Sequence, residues 1–226
     1  MAWITADSRL RFAVLLGAVA SITGAVLLTG LIPPVVGLGE TVRLPIFHGA
    51  STWVNLGAFT LLGVVALAAL ATGRRELDGW TTGIRSVSAA MWLVNTALGA
   101  FAAMETWDFT GSEEGFLTIA QQDPRLIVQA QLLLLAGALL VAVGLVDGRR
   151  VKAAMDIAFV AVMWWLLGSA LTSPGARVLH PDNPVMNSGP EIQLPFFAIL
   201  AALSLGVLLL AWFARELAVR SSAKKP

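Results

Sequence analysis

Apolar residues run along this chain in long blocks, not at alternate positions. Six stretches hold almost no charge: residues 12–32, 46–72, 84–104, 126–146, 153–173 and 192–214. Each is bounded by charged residues, Gly or Pro. The hydrocarbon core of a bilayer is about 30 Å thick and a helical residue rises about 1.5 Å, so a run of ~20 residues is long enough to cross it. A transmembrane barrel would place polar residues at every second position, and no segment does so. Backbone groups in lipid must be satisfied within their own segment, which predicts six transmembrane helices. The expected fold is an all-α integral membrane protein, one six-helix bundle forming a single domain over residues 1–226. The first block follows Arg9 and Arg11 in the manner of a signal peptide. A signal core is only about 7–15 residues long, so this longer run is expected to stay as a helix.

Composition narrows the class. Hydrophobic residues make up 57% and charged residues 13%, with a mean hydropathy of +0.79. Soluble domains average roughly 25% charged residues. An ordinary soluble enzyme, a disordered chain and a nucleic-acid binder are therefore excluded. Cys is absent. That removes disulfides, thiolate metal sites, Fe–S clusters and cysteine nucleophiles together.

The net charge of +1 says little, but its distribution says more. Twelve basic residues fall on one side of the alternating topology: Arg9, Arg11, Arg74, Arg75, Arg85, Arg149, Arg150, Lys152, Arg215, Arg220, Lys224 and Lys225. Three fall on the other: Arg43, Arg125 and Arg177. Basic loops stay inside, so both termini are expected in the cytoplasm, with the chain multi-pass in the cell membrane. The outer side is acidic, with Glu40, Glu105, Asp108, Glu113, Glu114, Asp123, Asp182 and Glu191. Its loops are the longer ones, and site chemistry is expected there.

Both histidines, His48 and His180, fall on that outer side. Imidazole is the commonest metal ligand. Two histidines from different elements suit a bis-His heme iron. Taken singly, each also reads as a polar residue at a membrane interface. Helical spacing puts His48, Thr52 and Asn55 on one face. Asn55 and Asn95 read as helix–helix hydrogen-bonding residues, with each other as the first candidate partners. Trp107 reads as an interfacial aromatic, or as part of a platform beside a porphyrin. Arg125, with Arg43 and Arg177 as alternatives, could pair a heme propionate, and each could equally pair an outer carboxylate. Met186 is a reserve iron ligand or an ordinary loop residue. The helix centres read as free of charge, and Asp156 is expected to pair with Arg149, Arg150 or Lys152.

In this arrangement the chain resembles the cytochrome c assembly family of heme-handling membrane proteins, in size its CcmC-like branch. The residues that carry the resemblance are His48 followed by Trp53 and Gly57, then Asp123-Pro124-Arg125-Leu126 leading into a Leu-rich helix, then Leu179-His180 after Trp164-Trp165. The resemblance implies six helices with both termini inside. It also implies one non-covalent heme b near the outer face, with His48 and His180 as axial ligands and a Trp-rich segment between helices three and four. Here that segment keeps only Trp107, and an acidic insertion occupies residues 111–114.

Two versions follow. In one, heme is a cargo for transport or cytochrome c maturation. In the other, it is a fixed electron-carrying group in a larger complex, and loss of the Trp platform tilts toward this version. Neither makes the chain a catalyst by itself. The implied partners are the lipid bilayer, other membrane subunits, and an outer-face cytochrome or heme chaperone. The alternative is an anchor or scaffold subunit, with or without heme. A small-molecule transporter ranks last, because the helix centres show no charge. Hydrolase chemistry has no nucleophile elbow to support it.

Overall fold

The structure is a computed structural model describing residues 8–106, 118, 120–173 and 185–223. Six helices long and apolar enough to span a membrane occur among these residues: α1 (Ser8–Leu28), α2 (Arg43–Thr72), α3 (Glu76–Thr106), α4 (Pro124–Leu145), α5 (Arg149–Thr172) and α6 (Pro190–Ala223). Each predicted block falls on one of these helices, with the first block running four residues past α1 through a short 3-10 turn (Thr29–Leu31) and the fourth and fifth ending one residue past theirs, while α2, α3 and α6 run past the apolar segments at one or both ends. Polar first turns such as Glu76–Gly79 remain helical because water and neighbouring helices tolerate a helix as well as lipid does. The chain is thus a multi-pass membrane protein by the length and composition of its helices.

Local signals explain several boundaries. Asp123 is the N-cap of α4, accepting from the backbone N–H of Arg125 at 2.8 Å and of Leu126 at 2.9 Å. Pro124 follows at the first helical position, where its missing N–H costs nothing. The Asp-Pro-Arg-Leu run is therefore a helix-start signal in its own right. Asp123→Ala should cost about 1 kcal/mol, the usual value of such a cap. Thermal unfolding in detergent measures this, and an unchanged midpoint would show that the cap contributes nothing. Helix α2 ends at Gly73, whose φ of 65° is the left-handed conformation favoured there by glycine.

Helices α2, α3, α4 and α5 form a closed ring in which each packs on the next. Phe59 lies fully buried at its centre, edge-on to Trp92 at 6.0 Å and to Phe159 at 4.9 Å between ring centroids. Helix α6 packs on the α2–α3 side of the ring, and α1 packs on α6. The arrangement is a four-helix ring with two helices added on one side. Close approach of α3 and α6 depends on Gly83, where an added Cβ would lie 2.3 Å from the Ala211 carbonyl oxygen.

One expectation fails inside the bundle. Asp156 does not pair with Arg149, Arg150 or Lys152. It accepts two hydrogen bonds from Arg85, from Nε and from Nη2, each at 2.7 Å. Both residues are buried, so a charge pair lies inside the bundle, between the helix starts and the helix centres. Arg85 lies about 14 Å and Asp156 about 10 Å in from the starts of their helices. Counting Arg85 as a loop charge missed that α3 begins well before the apolar block. Arg149 instead pairs with Asp78 in the first turn of α3, with Nη2 donating to Oδ1 at 3.0 Å.

Candidate functional site at the N-terminal end of α2

His48 sits in the second turn of α2, half-buried, with its imidazole directed to the ring interior. Gly99 of α3 makes room for it. A Cβ built on Gly99 would lie 2.7 Å from His48 Cε1, 3.0 Å from His48 Nε2 and 2.9 Å from Gln129 Oε1. The imidazole and the Gln129 carboxamide thus converge on the notch that the glycine leaves. Three helices supply this cluster, α2, α3 and α4.

A chain of hydrogen bonds holds it. The Thr52 hydroxyl donates to the His48 carbonyl at 2.9 Å and accepts from Asn95 Nδ2 at 3.0 Å. Gln129 Nε2 donates to the Asn95 carbonyl at 3.1 Å, and Trp92 Nε1 donates to the Gln129 carbonyl at 3.0 Å. Asn95 is fully buried and Gln129 nearly so. Buried polar groups of this kind fix one arrangement when their partners are in place. The polar face of His48, Thr52 and Asn55 is present as predicted. Asn55 and Asn95 do not bond each other: Asn55 Nδ2 donates to the Ser51 carbonyl, and Asn95 reaches Thr52.

Arg125 lies one turn before Gln129 on the same face of α4. It is half-buried, and its Nε is a buried atom with no hydrogen-bond acceptor among the described residues. Arg43, at the start of α2, is engaged locally. Its Nε donates to the Ile32 carbonyl at 3.1 Å and its Nη1 to Glu40 at 3.0 Å. The carboxylate pairing weighed for Arg43 is the one observed. Trp53 is 57% exposed on the outer surface of α2, as a membrane aromatic would be. Met186 is half-exposed, and its carbonyl accepts from Gln193 Nε2. His180, Trp107 and Arg177 lie outside the described residues.

No protein-family model matches this chain, and no curated protein does.

Sequence reasoning missed Gly99 and Gln129. A glycine in an apolar helix has no signature of its own, and Gln129 reads as one of two glutamines, with Gln131, in an otherwise apolar run. Only a polar pair at i, i+4 with Arg125 marked that face of α4. No group of three or more His, Cys, Asp or Glu residues that could bind a metal ion occurs among the described residues.

Proposed function

We propose that this chain is a membrane heme-binding protein resembling the cytochrome c assembly family, with one heme b held through His48 and His180 at the outer face. The observation that carries the reading is the seat of His48. Axial ligation works best when the imidazole is fixed in place by its surroundings. Gly99 supplies the space, and Thr52 and Asn95 tie down the turn that bears the ring. Arg125 adds a cationic group at the same end, with one buried nitrogen still lacking an acceptor among the described residues. An imidazole for iron and a guanidinium for a propionate are the donors such a group requires.

When bound, the heme supplies one-electron exchange at its iron, or is itself the cargo. The chain's own residues bind and orient it. His48 holds position through α2, Arg125 neutralises a carboxylate at the mouth, and the apolar ring below excludes water. The termini and basic loops lie in the cytoplasm in this reading, and the acidic loops face a cytochrome, a chaperone or a neighbouring membrane subunit.

The test is a pyridine-hemochrome spectrum of the purified protein, wild type beside His48→Ala, His180→Ala and Gly99→Ala. The expected result is about one heme b per chain, lost in either histidine variant. Gly99→Ala keeps both ligands but pushes the imidazole from its notch, so the hemochrome should still count one heme while the Soret band of the native, pyridine-free spectrum shifts. Both crowding groups are side-chain ends able to move, so this variant should fold. No heme in the wild type after mild purification would sink the reading and leave a membrane anchor or scaffold subunit.

A further inference from the structure

The opposite end of the bundle, about 30 Å from His48 along α2, carries a different site. There α2, α3, α5 and α6 surround a cavity of about 400 Å³. Each of the four helices gives it a small residue: Ala69, Gly79, Ala153 and Ala218. A second space of about 180 Å³ adjoins it, sharing Asp78 and Arg149 and adding Arg150.

The charge lining these spaces is unbalanced. Two of the cations are already neutralised, Arg85 by Asp156 and Arg149 by Asp78. Arg75, Arg150 and Lys152 have side chains with no ion partner among the described residues. Against these three stands one unpaired carboxylate, Asp147. Arg85 is only 5% exposed and closes the inner wall, while Arg75 and Asp147 are exposed at the rim. Like charges gathered around a partly enclosed space repel one another unless an anion joins them. Guanidinium and ammonium groups offer several donors each, and a phosphate offers several acceptors. The ends of these membrane helices are also where headgroups lie, and basic pockets between such helices take acidic lipid headgroups.

We propose that this cavity binds a phosphate-bearing anion, held by Arg75 and Lys152 against the wall formed by Arg85, with Arg150 reaching it from the adjoining space. Two sources offer that chemistry, the headgroup of an acidic phospholipid and free phosphate. The site is separate from the histidine cluster and does not depend on heme.

Native mass spectrometry of the full chain in a neutral detergent tests it, with phosphatidylglycerol or phosphatidylcholine added. A parallel thermal unfolding series uses inorganic phosphate. If the source is lipid, phosphatidylglycerol is retained over phosphatidylcholine. Arg75→Gln/Lys152→Gln then weakens that retention at least about tenfold. If the source is free phosphate, inorganic phosphate raises the unfolding midpoint of the wild type but not of that double variant, without lipid preference. Arg9→Gln/Arg11→Gln removes the same charge from α1, which lines neither space, and should leave either response intact. Absence of both responses would overturn the proposal. So would an equal loss in the two double variants, which would show attraction to overall charge and not to this cavity.

Discussion

Asp156→Ala should be the most damaging single substitution in the membrane core, at about 3–5 kcal/mol. Removing the carboxylate leaves the Arg85 guanidinium buried, with both hydrogen bonds to Asp156 lost. The energy lies mainly in the stranded cation, because taking a charge out of water is costly unless an opposite charge meets it. The intact pair need not be strongly stabilising. Replacing both partners by apolar residues of similar volume is often neutral or better. The double variant Arg85→Met/Asp156→Leu should therefore recover most of the folded protein that Asp156→Ala loses. Size-exclusion profiles and thermal midpoints in detergent read both. A double variant as unstable as the single would show that the pair itself holds α3 to α5, contrary to this account.

Gly83→Val should be the next most damaging. The built Cβ lies 2.3 Å from the Ala211 carbonyl oxygen and 2.9 Å from the Arg215 backbone nitrogen. Both obstacles are backbone, so no side chain can turn aside and α3 and α6 must separate. Overpacking of a close interface costs about 1–3 kcal/mol, and displacement of two whole helices places this site at the upper end. Gly137→Ala is the contrast. Nothing lies within 4 Å of its added Cβ. Alanine is the better helix former by about 1 kcal/mol, so the midpoint should hold or rise. Equal losses at the two glycines would mean that helix propensity, not the α3–α6 contact, sets the effect.

These expectations separate what a linear reading contains from what it lacks. Six apolar blocks announce six helices because lipid offers the backbone no other partner, and that argument needs no tertiary contact. The apolar block places the start of α4 at 126, and the helix begins two residues earlier because the Asp123 side chain caps it. The polar face of His48, Thr52 and Asn55 is legible because helical periodicity places it. Partner choice is another matter. Asp156 has basic residues within seven positions on its own side of the chain, yet its partner is Arg85, 71 residues away. Arg149, one of the three local candidates, is drawn to Asp78 at the bundle end. Local spacing favours the near pairing. Only the packing of α5 against its neighbours brings Asp156 inside and Arg85 to it. Gly99 and Gln129 meet His48 for the same reason. Their roles come from three helices converging, and a helix sequence states which face is polar but not which helix will lie against it.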